Sequence, residues 1–213
     1  MNNVGLIAGS YKPYHAGHDG LVRWAAREND EVHLFVSLSD RKRPGEVPIL
    51  GADMEKIWKS YIEPTLPKNV TVHYGGSPVR NLYDMLAKAS ESGSEDTYTI
   101  YSDPTDLAQN YPETNLLKYV GNLYNSGQII LKPIERVSTV NVSGTKMRQY
   151  IETGDKKSFI SNLPKSIDGS AVWDVLRSTA AAVPKKAARK KKNEALVREF
   201  VQRYLSLGPK GNL

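Results

Sequence analysis

Two histidines in the segment from Gly9 to His18 (GSYKPYHAGH), here called the histidine segment, have the type and spacing needed to stabilise a phosphoryl group. His15 and His18 are three residues apart, so both imidazoles can donate to one phosphate oxygen. Gly9 and Gly17 let the backbone approach a ligand, and unpaired amides at a helix start attract phosphate. The segment therefore predicts a phosphate site at which transfer needs positioning and charge stabilisation, without a covalent step.

A second segment with phosphate-binding character, Val142 to Arg148 (VSGTKMR), lies about 125 residues further along the chain and is called the SGT segment. Ser143 is a good N-cap for a following helix, Thr145 offers a hydroxyl in its first turn, and Arg148 follows one turn on. A guanidinium can hold two phosphate oxygens at once. Alone, this pattern is typical of an ordinary capped helix. That this helix start faces the same phosphates as the histidine segment is implied only by the family resemblance given below.

The elements that must position these segments alternate between strand and helix. Apolar runs bounded by glycine, proline and polar residues predict five strands, at residues 4–8, 32–38, 70–74, 98–101 and 128–131. Helical spacing predicts the intervening helices, at about residues 21–26, 53–62, 79–90 and 115–124. The pattern predicts an α/β fold with a doubly wound parallel five-stranded sheet. Ligands of such sheets bind at the carboxyl ends of the strands, where the histidine segment would lie.

Beyond residue 142 the pattern changes to consecutive helices, at residues 143–153, 156–162 and 169–177. We predict a catalytic domain at 1–178, a basic linker at 179–192, and a C-terminal amphipathic helix and tail at 193–213. The apolar stripe of the last helix would contain Leu196, Val197, Phe200, Val201, Tyr204 and Leu205. Such a stripe is buried either against the domain or in a subunit interface, and we expect a homo-oligomer.

The composition excludes several kinds of site. The chain of 213 residues has no cysteine, which excludes disulfides, thiolate metal sites and a cysteine nucleophile. No histidine or carboxylate cluster has metal-ligand spacing, so we predict no metal held by protein ligands. The sequence has neither a membrane-length apolar run nor a signal peptide, and we expect a cytoplasmic protein without membrane contact.

The net charge of +6 is concentrated in one short stretch. Residues Lys185 to Lys192 (KKAARKKK) hold six positive side chains and no negative one, so the remaining charges balance. A basic tail could contact nucleic acid or another anionic partner, but we favour a solvated charge run. The charge therefore says little about the substrate, and we expect the partners to be small molecules.

The histidine and SGT segments resemble the two signatures of the HxGH nucleotidyltransferase superfamily. In that family a Gly, an aromatic residue and a Pro precede H-x-G-H, and I-S-[SGT]-T-x-x-R holds the β- and γ-phosphates. Residues 143–164 resemble the end of archaeal-type nicotinamide mononucleotide adenylyltransferases, where a helix, a Gly-Asp turn and a Leu-Pro follow S-G-T-x-x-R. The resemblance covers about residues 4–177. It implies a Rossmann-like fold and transfer of AMP from ATP to nicotinamide mononucleotide, with release of pyrophosphate.

The resemblance also implies a set of site residues. As catalytic residues it indicates His15, His18 and Arg148, and we add Lys12 because it can supply a cation to the phosphates. As nucleotide-binding residues it indicates Gly9, Ser10, Tyr11, Gly17, Ser102, Asp103, Ser143, Gly144 and Thr145. Ser102 and Asp103 follow the fourth strand, and at this position members of the family contact the adenine and the acceptor base. Mg²⁺ is expected to arrive with the ATP co-substrate and to keep several of its waters.

The chain departs from the archaeal pattern just before the proline. The family has Arg, then Phe or Met, then Gln, where this chain has Ser10, Tyr11 and Lys12. Lys12 supplies a cation without the planar fork of an arginine. The Arg-Thr-x-Gly-Ile-Ser-Thr pattern of cytidylyltransferases is missing, because Arg136 is too far from Ser143 and no glycine lies between them. This difference favours ATP over CTP.

Two alternatives stay open, a cytidylyltransferase acting on a small phospho-alcohol and a nucleotide-binding scaffold that has lost turnover. Four further cations could reach an acceptor phosphate or could simply be solvated, namely Arg41, Lys42, Arg43 and Arg80. We interpret His33 and His73, which fall in predicted strands, as surface or hydrogen-bonded core histidines.

Overall fold

The computed structural model describes residues 1–134 and 142–182 of the chain, with side chains up to residue 180. All five predicted strands are confirmed, each shifted by no more than two residues at either end. They are β1 (Asn3–Gly9), β2 (Glu31–Val36), β3 (Val70–Tyr74), β4 (Thr97–Ser102) and β5 (Ile129–Pro133). Their order across the sheet is β3-β2-β1-β4-β5, and every neighbouring pair is parallel.

The described helices follow the strands as crossover connections and then continue without strands beyond residue 142. They are α1 (Ala16–Glu28), α2 (Gly51–Ile57), α3 (Pro78–Glu91), α4 (Pro104–Asn110), α5 (Glu113–Asn125), α6 (Gly144–Thr153), α7 (Lys156–Ser161) and α8 (Gly169–Ala182). This architecture confirms the predicted doubly wound α/β fold. No helix of the described residues is long and apolar enough to cross a membrane.

Three helices differ from the sequence-based prediction. The helix predicted at 53–62 begins at Gly51, and after Ile57 it widens into a π-helical turn over Trp58–Ile62. Helix α4 was not predicted, although Asp103 caps it by accepting from the amide of Asp106 and Pro104 opens it. Helix α8 continues to Ala182, whereas the sequence predicts a helix over 169–177. The rest of the predicted linker and the C-terminal helix lie outside the described residues.

The sheet separates two hydrophobic clusters because successive side chains of each strand point to opposite faces. On one face, Leu34 and Val36 pack with Met147 of α6 and Trp173 of α8. On the other face, Phe35 packs with α3 and α5 residues such as Leu82 and Leu116. Residues Met1–Ala180 form one compact unit around these clusters. Strand β1 lies between β2 and β4, so the order reverses beside it, and in sheets of this kind the ligand-binding crevice lies at the carboxyl end of such a strand.

Candidate active site

The histidine segment connects β1 to α1 at this crevice. Tyr11 has a φ of 47°, the Lys12–Pro13 peptide is cis, and His15 stands in extended backbone as the N-cap residue of α1. A Cβ added to Gly9 would lie 2.7 Å from the Tyr11 ring, so the ring can fold back over β1 only because residue 9 is glycine. The segment therefore turns sharply and ends with its second histidine in the first turn of α1.

The two histidines of this segment lie against each other. Their rings stack with centroids 3.6 Å apart and planes inclined by 19°. The backbone amides of His18 and Asp19 both donate to the carbonyl of His15, at 2.9 and 3.1 Å. The Tyr11 ring meets His18 edge-on at 4.9 Å between centroids. The structure thus brings both predicted catalytic imidazoles to the N-terminus of one helix, whose dipole favours an anion.

A buried polar chain, which the sequence analysis did not single out, supports the start of α1. The Tyr14 hydroxyl donates to Asp19 at 3.3 Å, and Arg23 Nε donates to the other oxygen of Asp19 at 2.7 Å. Arg23 also donates to the carbonyl of Thr65 at 2.9 Å, outside the helix. Because the Tyr14 ring packs 5.7 Å from that of His18, this chain limits the positions that the imidazole can take.

Lys12 is buried, with 4% of its surface exposed, although it carries a charge. Its ammonium donates to Ser37 Oγ at 3.2 Å and to Ser39 Oγ at 3.4 Å, at the carboxyl end of β2. Burial, followed by the charge of Arg41, lowers the pKa of Lys12 below that of an ordinary lysine. An anion at this point would compensate for the cost of burying the cation.

The SGT segment opens helix α6 as predicted. Ser143 is its N-cap residue and accepts from the amide of Lys146 at 3.2 Å. Arg148, 6% exposed, donates from Nη2 to Thr145 Oγ1 at 2.9 Å, which holds the guanidinium along the first turn. A Cβ on Gly144 would lie 3.1 Å from Arg148 Nη1, so the glycine makes room for this guanidinium.

The two segments are in direct contact. Arg148 Nη1 donates to the backbone carbonyl of Lys12 at 2.9 Å, across 136 residues of sequence. A Cβ on Gly144 would lie 3.5 Å from the same carbonyl, and one on Gly17 would lie 3.7 Å from Val142. Two helix N-termini, those of α1 and α6, therefore meet at the end of β1 with two histidines, a lysine and an arginine around them.

Glu46, in the loop between β2 and α2, is a member of this cluster that the sequence analysis missed. Its Oε2 lies 3.0 Å from Arg148 Nε and 2.9 Å from Arg41 Nε, and its Oε1 accepts from Arg41 Nη2 at 3.2 Å. Burial raises its pKa, but the hydrogen bonds from Arg41 and the charge of Arg148 outweigh burial and lower the pKa overall. The only sequence signal was its position in a loop rich in basic residues.

The predicted adenine-side residues have capping contacts at the start of α4. Ser102 Oγ donates to Asp106 at 3.2 Å, and Asp103 accepts from the Asp106 amide at 3.0 Å. Burial, followed by the charges of Tyr111 and Asp106, raises the pKa of Tyr11. Ser10 is exposed, whereas Tyr11 is buried.

The fainter candidates divide between the site and the surface. Arg41 joins the cluster through Glu46, but Lys42 pairs with Asp40 at 2.6 Å with 63% of its side chain exposed. Arg80 lies 3.9 Å from Asp84 and is 82% exposed. His33 and His73 hydrogen-bond to each other at 2.9 Å, as their interpretation as satisfied histidines implies. In the described ranges, no group of three or more histidine or acidic side chains could hold a metal ion.

Comparison with known proteins supports the fold. No protein-family model matches the chain, and no curated protein matches its sequence. Among solved structures it is similar to a bifunctional NMN adenylyltransferase/ADP ribose pyrophosphatase from Francisella tularensis, with 13% identity and a TM-score of 0.52. The match covers 100% of this chain and 59% of that one. The same protein complexed with AMP and a Mn ion gives 13% identity and a TM-score of 0.52, over 100% of this chain and 58% of that one.

A weaker similarity, with 14% identity and a TM-score of 0.46, is to Thermotoga maritima TmcAL bound with alpha-thio ATP, over 83% of this chain and 55% of that one. The chain spans less than two thirds of the length of these structures. The similarity to the Francisella tularensis protein is a similarity of fold, and this is the fold that the resemblance to HxGH nucleotidyltransferases implies.

Proposed function

We propose that this chain is a nucleotidyltransferase of the HxGH superfamily that transfers AMP from ATP to a small phosphorylated acceptor and releases pyrophosphate. The observation that carries the proposal is the contact between the two phosphate-binding segments, through Arg148 and the carbonyl of Lys12 at 2.9 Å. A triphosphate has several anionic groups in a row, and two adjoining helix N-termini with added cations can hold more than one of them. A single capped helix would bind one phosphate.

In the proposed reaction a phosphate oxygen of the acceptor attacks the α-phosphorus in line, and the bond from that phosphorus to the bridging oxygen of pyrophosphate breaks. His18 and His15 stabilise charge on the α-phosphate oxygens, and the amides of the α1 N-terminus add to this effect. Lys12 neutralises charge between the α- and β-phosphates. Arg148 and the α6 N-terminus hold the departing pyrophosphate, while Mg²⁺ comes with the triphosphate and offsets part of its charge.

The choice of ATP as nucleotide and of a mononucleotide as acceptor depends on separate observations. The missing cytidylyltransferase pattern favours ATP, and so does the shared fold with a protein described as an NMN adenylyltransferase. The sequence after the SGT segment, with its Gly154-Asp155 turn and Leu163-Pro164, favours nicotinamide mononucleotide as the acceptor. In the structure Gly154 has a φ of 81° and ends α6, and Asp155 caps α7 by accepting from the Ser158 amide, so both residues have a local reason to be there.

Pyrophosphate release from the purified chain tests the proposal. ATP and CTP would each be offered with nicotinamide mononucleotide, nicotinate mononucleotide, glycerol 3-phosphate and flavin mononucleotide, with Mg²⁺ present. Release that requires ATP together with a mononucleotide is the expected result. Release with CTP and glycerol 3-phosphate would establish the cytidylyltransferase alternative, and nucleotide binding without release from any pair would establish the scaffold alternative.

A further inference from the structure

We infer that Glu46 is an internal anion that occupies the Arg41–Arg148 guanidinium pair when no nucleotide is bound, and that the polyphosphate must displace its carboxylate in order to bind. The inference rests on the proposed function in one respect, that Arg148 receives the phosphates that become pyrophosphate. It adds a competitor within the chain, which sets the affinity of the site for triphosphate.

The carboxylate of Glu46 makes the contacts that a phosphate would make. One oxygen lies within 3.0 Å of both Arg148 Nε and Arg41 Nε, and the other accepts from Arg41 at 3.2 Å. Two guanidinium groups sharing one anion is an arrangement that suits a phosphate with three acceptor oxygens. Glu46 thus accepts two hydrogen bonds from Arg41 and forms an ion pair with Arg148, whose Nε makes no hydrogen bond that satisfies it among the described residues.

The remaining contacts of Arg148 show why a phosphate would replace Glu46 at Nε and leave the partners of the other two nitrogens in place. Nη1 donates to the carbonyl of Lys12 and Nη2 donates to Thr145 Oγ1, both at 2.9 Å. These two bonds hold the guanidinium between the two segments. The Nε edge faces Glu46, whose side chain is 29% exposed, whereas that of Arg148 is 8% exposed. Of the two partners, the glutamate is the more exposed to solvent, so we expect its side chain to be the one that turns away.

The backbone on either side of Glu46 is anchored, so the side chain and not the whole loop is expected to move. Arg41 and Ile49 exchange both backbone hydrogen bonds, at 2.8 and 3.0 Å. Val47 and Ile49 are buried in the core at 8% and 0% exposure. The amide of Gly51 donates to Asp40 at 2.8 Å and closes the far end of the loop. The carboxylate is thus held beside the cations by a fixed backbone and leaves by rotation about its own bonds.

Two roles are possible for Glu46, and they predict opposite effects of its removal on the affinity for polyphosphate. If Glu46 competes, removal of its charge strengthens polyphosphate binding, because the cations are free and one repulsion is gone. If Glu46 instead positions Arg41 and Arg148 in the bound state, its removal weakens binding. The sign of the change decides between these roles.

The test uses inorganic tripolyphosphate and calorimetry on the full chain, comparing wild type with Glu46→Gln. This substitution keeps the side-chain shape and removes the charge. We expect the Kd for tripolyphosphate to fall about fivefold, the size expected for loss of a partly exposed ion pair. Glu55→Gln is the matched control, since Glu55 also pairs with a cation, Lys59 at 2.6 Å, on the exposed side of α2. Its Kd should equal that of wild type.

An unchanged or higher Kd in Glu46→Gln would overturn the inference, and so would failure of wild type and variant alike to bind tripolyphosphate. Glu46→Ala provides a second variant with the same expected sign. If neither variant folds, as judged by circular dichroism, Glu46 is a structural ion-pair member and the inference is wrong. Binding requires no turnover, so a tighter Kd together with no pyrophosphate release from any substrate pair would leave the inference standing and reject the proposed function.

Discussion

At the N-terminus of α1, the two histidine side chains differ in exposure although their rings are stacked. His15 is 6% exposed and its carbonyl accepts the first amides of the helix, whereas His18 is half-buried and lies inside the first turn. His18 thus places an imidazole donor at the positive end of the α1 dipole. Its hydrogen bond to the transferred phosphoryl group can strengthen as negative charge develops there. Arg148 has a different task, because its three contacts join the two segments and the loop residue Glu46.

His18→Ala should lower kcat by about 10²-fold or more while the affinity for ATP stays within a few fold of wild type, because a donor that acts on the developing charge contributes little to ground-state binding. Steady-state kinetics and calorimetry with a nonhydrolysable triphosphate would measure the two quantities. Near-wild-type turnover would reject the role of His18. His33→Ala is the control, since His33 is bonded to His73 in the sheet and should leave kcat unchanged.

Arg148→Lys should impair turnover although the charge is kept. The planar guanidinium of Arg148 can bind the Lys12 carbonyl, the Thr145 hydroxyl and a phosphate at the same time, and an ammonium cannot. The kcat/KM for ATP should therefore fall by at least about tenfold. The same assays check this expectation. Full activity together with unchanged triphosphate binding would show that Arg148 is only a structural cation. The exposed Arg80→Lys should behave as wild type, because Arg80 is 82% exposed.

At the scale of elements, the sheet places the predicted residues at one edge and puts the remaining histidines elsewhere. His33 of β2 and His73 of β3 point to the same face of the sheet as Phe35, whose ring stacks on His73 at 4.8 Å between centroids. They hydrogen-bond across the two strands at 2.9 Å, away from the histidine segment. Burial, followed by the charge of His33, lowers the pKa of His73 below that of an ordinary histidine.

Because the pKa of His73 is lower in the folded chain than in the unfolded chain, the unfolded chain binds more protons between the two values. The free energy of unfolding should therefore fall as the pH drops through the ordinary pKa of histidine, until the folded-state pKa is reached. Thermal unfolding at about pH 7.5 and about pH 5.5 would measure this loss. In His73→Gln this loss of unfolding free energy should be smaller than in wild type. An equal loss in both proteins would show that the His33–His73 pair does not cause it.

At the scale of the whole molecule, the contacts that join the histidine segment, the SGT segment and Glu46 lie within the compact unit Met1–Ala180. The cluster draws on the loop after β1, the loop after β2 and the start of α6, and Ala16 donates to the carbonyl of Asn162 at 2.9 Å. The helices beyond residue 142 are therefore part of the site's support. The predicted linker beyond residue 182 and the amphipathic helix lie outside the described residues, and the two interpretations that the sequence offers for the helix stay open.

Deletion of residues 184–213 should leave kcat and KM close to wild type, because the bonds of Lys12 to Ser37 and of Arg148 to the Lys12 carbonyl do not involve the deleted residues. The deletion also removes the predicted apolar stripe and the basic run, so we expect a change in oligomeric state or in solubility. Light scattering and steady-state kinetics on the truncated chain provide the measurements. An unchanged mass combined with lost activity would mean that the deleted part completes the active site.

Local chemistry in the sequence was enough to predict the strands and the N-cap of α6, whereas the phosphate-binding character of both segments stays a prediction. The alternation of apolar residues and the N-cap preference of Ser143 act within a few residues, and the observed elements agree with them. Helix α4 is not among the predicted helices although its signal is equally local, since Asp103-Pro104 is a typical helix start. The five-stranded sheet also followed from local signals, through the rule that alternating strands and helices form parallel crossovers.

Only the tertiary structure decided which side chains meet. Lys12 bonds to Ser37 and Ser39 because β1 and β2 are neighbours, and Arg148 reaches the carbonyl of Lys12 across 136 residues. Glu46 carries no periodicity, cap or motif that distinguishes it from other loop glutamates, yet the buried Val47 and Ile49 hold it beside two arginines. Ion pairs between distant segments depend on the path of the whole chain, and their contribution comes from burial and geometry that no short stretch of sequence encodes.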